Sequence, residues 1–460
     1  MSAWRPDLRR WGKPHYLAIV EALADDIRAE RLPAGARLPT QRALAEALDL
    51  NFTTVARGYV EAQRRGLVDG RVGRGTFVAH PARRPRTGDA VLRGPVDFTM
   101  NLPPEPDDPV LIGRMRAGLA EIASELPDLL RYQRFGGTEA DKDAALSWLG
   151  RRGVAAQRDR LLICPGAHSA LNAAFGHVAR PGDAICAEVL TYPGVRALAA
   201  HLGLRLVGLP MDAHGVEPDA FAAACTRVAP RAIYLNPLLQ NPTTTTVPRA
   251  RREAIVAVAR RYGVAIIEDD AYAFVSPNPP PSFAALAPEI TYYVAGLAKC
   301  LGAGLRLGYL VAPSARAALA LSGSLRAVSV MASPLTTALA TRWIGDGTAE
   351  AVLGFIRSES RARQRIAAAI LPGGTATADP DGFHIWMRLP AGWTRSAFAS
   401  QGRSAGLGVV ASDPFCVAGA PPEAVRVCLG GLSTRAEVGQ SLEVLAHALE
   451  RAPALASSYI

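Results

Sequence analysis

The chain has 460 residues, 49% hydrophobic and 20% charged, a composition that excludes disorder and leaves room for two or three domains with full cores. Its start carries no unbroken apolar run, and no window approaches the roughly 18 uncharged apolar residues of a membrane span, so a cytoplasmic protein with no membrane partner is expected. The net charge is +10; residues 1–94 hold 17 Lys and Arg against 10 Asp and Glu, and a basic segment of that kind points to an anionic partner.

From Tyr16 to Arg31 the apolar residues Ile19, Val20, Leu23 and Ile27 recur at helical spacing, and Pro33, Gly35 and Pro39 then break the pattern. Thr40 can cap a second helix over "QRALAEALDL". The segment "NFTTVARGYVEAQRRG" predicts a third helix, ended by Gly66. The short, glycine-rich "LVDGRVGRGTFVAH" predicts a two-stranded hairpin, so residues 12–80 read as a winged helix-turn-helix.

"LPTQRALAEAL", "TTVARGYVEAQRRGLV" and "GRGTFV" resemble the DNA-binding domain of the GntR family of bacterial regulators. The resemblance implies a double-stranded DNA operator as partner, with the third helix in the major groove and its N-terminal residues Asn51, Thr53 and Thr54 at base edges. It also implies that Arg42 and Arg57 grip phosphates or bases, and that Arg71, Arg74 and Gly75 of the wing reach the adjacent groove. One departure stands out: many family members carry an arginine just before the Thr pair, where this chain has Phe52, which cannot make the bidentate contact to guanine. Residues 81–95, polar, basic and punctuated by Pro and Gly, read as a linker.

Over residues 96–460 short apolar runs ("RLLICPG", "DAICAE", "RAIYLNP", "VAIIEDD", "ITYYVAG") alternate with helical segments, with a large part over about 155–330 and a small part over about 340–460. Strands alternating with helices predict an α/β domain with a mainly parallel sheet, helices on both faces and a ligand site at the carboxyl ends of the strands. Asn241, Asp269 and Lys299 follow three of these runs at intervals close to one strand-helix unit. The six cysteines, at 164, 186, 225, 300, 416 and 428, form no CxxC pair, so buried thiols are expected and neither a disulfide framework nor a metal site is.

Lys299 is one of only three lysines, with Lys13 and Lys142, in a chain that otherwise uses arginine for positive charge. An arginine stays protonated, whereas a desolvated lysine can act as a neutral amine in a Schiff base. The motifs "QNPT", "EDDAY" and "AKCLGAGLRLGY" resemble the fold-type I aminotransferases that use pyridoxal 5'-phosphate (PLP), the small part being an α+β subdomain. The resemblance implies Lys299 as the aldimine lysine, Asp269 as partner of the pyridine nitrogen, Asn241 and Tyr272 at the phenolate oxygen, and Tyr192 stacked on the ring. It further implies that the phosphate is held by Gly166, Ala167 and His168 at a helix N-terminus and by Arg306, with Tyr132 arriving from the neighbouring subunit, and that Arg426 clamps an amino-acid carboxylate. Gly296 and Ala298 stand where serines often precede the lysine, and "NPTTTT" lacks the glycine that commonly follows "NPT".

The fusion of the two resembles the MocR subfamily, PLP-dependent transcriptional regulators that are typically dimers. It implies a homodimeric regulator in which an amino acid or amine effector displaces Lys299 and changes operator affinity. A genuine aminotransferase carrying a DNA-binding domain, or a PLP-free scaffold, would share much of the same sequence.

Overall fold

The chain divides into two units, Met1–Arg93 and Gly94–Ile460, and the computed structural model describes residues 4–8, 14–29, 31–33, 35–65, 67–71, 75–78 and 97–450. In the first unit the predicted periodicity produces α1 (His15–Arg28), α2 (Gln41–Leu48) and α3 (Phe52–Arg64), followed by β1 (Val68–Arg71) paired antiparallel with β2 (Gly75–Val78). Ile19, Val20 and Leu23 of α1 pack on Leu44, Val55 and Tyr59, with Val68 and Val78 of the wing closing the core. Thr40 caps α2, its hydroxyl accepting from the Ala43 amide at 3.2 Å, and Asp49 turns the chain in the left-handed region at φ 54°. α1 and α3 end two or three residues earlier than the periodicity reaches, and the expected linker 81–95 and the helix stop Gly66 lie outside the described residues.

The second unit is built on a seven-stranded sheet of β3 (Leu161–Cys164), β4 (Ala184–Glu188), β5 (Arg205–Leu209), β8 (Ala232–Leu235), β9 (Ala265–Asp269), β10 (Thr291–Gly296) and β11 (Gly308–Val311), with β6 (Met211–Asp212) and β7 (Gly215–Val216) forming a small separate hairpin. The order is β3-β11-β10-β9-β8-β4-β5, parallel throughout except for β11, which runs antiparallel to both its neighbours. Helices cover both faces: Tyr293 and Ala295 enter one core and Tyr292 and Val294 the other, the alternation of a strand buried on two sides.

The smaller sheet, β12 (Ala376–Ala378), β13 (His384–Arg388), β14 (Val410–Ala411) and β15 (Ala424–Cys428), is antiparallel in the order β12-β13-β15-β14. The helices Thr348–Ile370 and Arg435–Glu450 bury Ala367, Leu442 and Leu445 against its Ile385 and Val427. All six cysteines are buried and unbonded. Among the described residues no helix is long and apolar enough to cross a membrane.

Candidate functional site

The carboxyl ends of β8, β9 and β10 open, with β15 of the smaller sheet, onto a cavity of about 650 Å³. Asp269 is the last residue of β9. Its Oδ2 accepts a 2.7 Å hydrogen bond from the Tyr234 hydroxyl, while its Oδ1 is buried without a partner. Burial pushes this carboxyl up to about 6, against the opposing pull of the Tyr234 bond.

Lys299 ends a single 3₁₀ turn, Leu297–Lys299, directly after β10, and its Nζ donates to the Asn101 carbonyl. Burial lowers its ammonium to about 8, with Arg426 acting in the same direction and Cys428 and Asp269 opposing. The Tyr272 hydroxyl accepts from Asn101 Nδ2 at 2.6 Å. Arg426 reaches the cavity because β15 pairs with β13, Arg426 opposite Trp386. Its Nη1 donates to Asn241 Oδ1 at 2.7 Å and its Nη2 to the Thr99 carbonyl at 2.5 Å, leaving Nε buried without a partner.

At the other end of the cavity the helix Ala167–Val178 starts from Gly166, which adopts φ 86°. A Cβ on Gly308 would come within 2.7 Å of the Ala167 nitrogen, so this glycine lets the helix N-terminus settle on β11. The Arg306 guanidinium lies 3.3 Å from where a Gly166 Cβ would stand, beside the free amides of the first turn. His168 is exposed at the same turn, its imidazole lowered by partial burial and by Arg306. The result is a positive, NH-rich end facing a carboxylate and an amine, a donor set suited to an anionic group such as a phosphate.

Gly166, Ala167, His168, Tyr192, Asn241, Asp269, Tyr272, Lys299, Arg306 and Arg426 are therefore brought to one cavity. Tyr132 is not: it is 84% exposed and lines no part of the cavity of its own chain. Asn241 does not stand at a strand end. Asn236 does, directly after β8, and its Nδ2 donates to the Asp269 carbonyl at 2.7 Å while its Oδ1 accepts from the Asn241 amide at 2.9 Å. Sequence reasoning also passed over Tyr234, which looks like one more apolar strand residue, and Asn101, which sits in a stretch without periodicity. The missing glycine after "NPT" has a structural counterpart: Thr244 occupies that position in the left-handed region at φ 66°, a conformation costing a non-glycine residue about 1–2 kcal/mol.

A second, larger groove of about 800 Å³ lies between the helix Thr348–Ile370 and β12. Arg357 there is held by the Phe274 and Val275 carbonyls and Arg361 by Asp381, so two of its cations already have partners.

In the first unit Arg42, Asn51, Thr53 and Arg57 are exposed and Thr54 is half-buried. The Arg57 guanidinium stacks on Tyr16, 4.1 Å from the ring centroid, which fixes its position. Gly75 adopts φ 107° in the wing, with Arg37 close against it, a cation that the sequence pattern did not single out. Arg74 lies outside the described residues, and Arg71 is described in its backbone alone.

Residues 95–445 match the family described as aminotransferase class I and II, and residues 15–78 match the bacterial regulatory proteins of the gntR family. The uncharacterized HTH-type transcriptional regulator YdeF of Bacillus subtilis is 29% identical over 97% of either chain, and the HTH-type transcriptional regulator TauR of Rhodobacter capsulatus is 28% identical over 80% of this chain and 83% of its own. Among solved structures, the alpha-aminoadipate aminotransferase LysN of Thermus thermophilus, complexed with N-(5'-phosphopyridoxyl)-L-leucine, superposes with a TM-score of 0.71 at 23% identity, covering 81% of this chain and 96% of its own. That last likeness speaks for the fold.

Proposed function

We infer the function from one premise: the chain belongs to the aminotransferase class I and II family and, with its gntR-type segment, to the MocR subfamily of regulators. It is a DNA-binding transcriptional regulator that holds pyridoxal 5'-phosphate at Lys299 and senses an amino acid or related amine in the same cavity. The observation that carries the cofactor assignment is Asp269 Oδ1, a buried carboxylate oxygen without a partner in a cavity that also holds a low-pKa amine. A buried orphan acceptor is costly unless a ligand donor meets it, and a pyridinium N–H is such a donor.

When bound, PLP supplies an aldehyde for reversible capture of amines and a ring that withdraws electrons. Lys299 would hold the aldehyde end, and Asn241 and Tyr272 the phenolate side. Gly166, Ala167, His168 and Arg306 would hold the phosphate. Tyr192, whose ring lies 2.3 Å from where a Gly194 Cβ would be, is left room by that glycine to lie against the cofactor face. Arg426, already oriented by Asn241 and Thr99, keeps Nε for an effector carboxylate. An effector amine that competes with Lys299 shifts operator affinity to the extent that it binds one conformation better than the other.

The regulator reading is favoured over a dedicated enzyme by YdeF, which matches 97% of this chain and so both units, and by TauR, likewise named an HTH-type transcriptional regulator. The protein acts as a homodimer, a reading supported by exposed Leu130, Tyr132 and Val328, with Tyr132 serving the neighbouring subunit's phosphate site.

The test is binding of the protein to duplex DNA from beside its own gene, with and without single amino acids, alongside an assay with a keto acid acceptor. A shift in DNA affinity without sustained turnover is expected. Turnover with no shift in DNA affinity would replace the regulator reading by the enzyme reading.

Because burial lowers the Lys299 ammonium from 10.5 to about 8, the free amine fraction rises as pH passes through 8. Capture of PLP by cofactor-free protein is therefore expected to speed up tenfold per pH unit below 8 and to level off by about pH 9. A rate still climbing between pH 9 and 10, followed by stopped-flow absorbance, would mean an ordinary solvated lysine.

A further inference from the structure

α3 begins at Phe52, a residue 46% exposed at the same end of the helix as Asn51 and Thr53. The fold does not account for this exposure. Leu50, on the far side of the cap, is the residue that packs onto the domain core, in the position a hydrophobic staple takes. Phe52 instead borders a recess of about 360 Å³ between the starts of α2 and α3 and the wing, together with Thr40, Gln41, Arg42 and Thr76. An aromatic ring ringed by hydroxyl, amide and guanidinium groups suits a polyanionic groove with an apolar spot in it.

The two residues flanking Phe52 in sequence bond to each other. Asn51 Oδ1 accepts from the Thr53 amide at 3.0 Å and from the Thr53 hydroxyl at 2.9 Å. These two bonds fill both lone pairs of the amide oxygen and use the hydroxyl proton of Thr53. Asn51 thus caps the helix and cannot offer the paired acceptor and donor that read an adenine, and Thr53 can only accept. Asn51 keeps its Nδ2 donors, and Phe52 adds the exposed apolar side chain at the helix start. In the major groove the apolar group on offer is the C5 methyl of thymine.

We propose that Phe52 reads a thymine methyl group in the major groove, so that each half-site of the operator carries a thymine facing the start of α3. The inference rests on the DNA-binding reading above and gives it a base identity. Burying one methyl against the ring is worth about a fourfold change in affinity.

The experiment uses the full chain with PLP present. Duplexes selected from a random pool give the preferred sequence, and each thymine in it is then replaced singly by deoxyuridine, which lacks only the methyl group. Wild-type protein is expected to lose about fourfold at one position per half-site and nothing elsewhere. Phe52→Ala should bind the thymine and uracil duplexes equally, and Phe52→Arg should select guanine at that position. Melting curves of both variants check that the fold is kept. If uracil at every position leaves the wild-type affinity unchanged, or if Phe52→Ala still distinguishes thymine from uracil, this inference is overturned while sequence-specific binding stands. If the full chain selects no sequence at all, the DNA-binding reading and this inference fall together.

Discussion

Lys299→Ala protein incubated with PLP and reduced with borohydride is expected to carry no specific trapped adduct, whereas wild type is labelled at one site per chain. The reason is the environment of the amine. Lys299 Nζ is buried at the carboxyl end of β10 and lowered to about 8, so near pH 8 about half of it is free base. Lys142 donates to the Arg158 carbonyl at 3.0 Å in an exposed hydrogen bond and lines no part of the cavity. The variant should fold, because Lys299 lines a cavity and contributes one hydrogen bond to Asn101, worth about 1 kcal/mol net. Any response of operator affinity to amines should vanish with the adduct, since no lysine remains for the effector to displace. Peptide mapping of the reduced protein is the check, and a stoichiometric adduct surviving on another lysine would refute the assignment.

Asp269→Asn is expected to weaken PLP by about ten- to a hundredfold, corresponding to the roughly 1.5–3 kcal/mol of a hydrogen bond to a charged group. Asparagine can still accept from Tyr234, so the loss isolates the negative charge at the pyridine nitrogen rather than the local packing. Stability should move the other way. A carboxyl whose folded pKa is raised from 3.8 to about 6 contributes stability below pH 3.8 that is lost as pH rises through 6. At pH 7.5 the ionised Asp269 therefore costs the cofactor-free protein up to about 3 kcal/mol, and the neutral asparagine removes that cost. The cofactor-free variant should melt above wild type at pH 7.5, with the advantage shrinking towards pH 4. A cofactor affinity equal to wild type would remove Asp269 from its role. A lower melting point at pH 7.5 would show that the carboxylate is stabilised by its neighbours in the native protein.

These two residues differ in how they could be found. Lys299 was legible because lysine is rare in this chain and its glycine-rich surroundings are unlike a surface segment, and Asp269 because a carboxylate at the end of an apolar strand run has few structural reasons to be there. Arg426 was visible only through family resemblance. Its identity as a cavity residue depends on the register that sets it opposite Trp386 on β13 and on contacts to Asn241 and Thr99, residues 185 and 327 positions away.

By itself the sequence determined what local chemistry and periodicity can encode: three helices and a hairpin at the start, five of the seven sheet strands, the absence of cysteine pairing and the loops that carry the cofactor motifs. Helical and strand periods report which residues face a core, and caps such as Thr40 act within a few residues, so both are readable along the chain. Tertiary structure alone decided the rest. The antiparallel insertion of β11 between β3 and β10 places Gly308 under the helix Ala167–Val178 and Arg306 beside Gly166, which no local pattern announces. Asn101 became a site residue because its carbonyl accepts from Lys299 and its amide donates to Tyr272, and the Asn51 oxygen was found capping α3 by accepting from Thr53. Such roles arise where buried donors and acceptors from distant segments must satisfy one another, a requirement that exists only after the chain has folded.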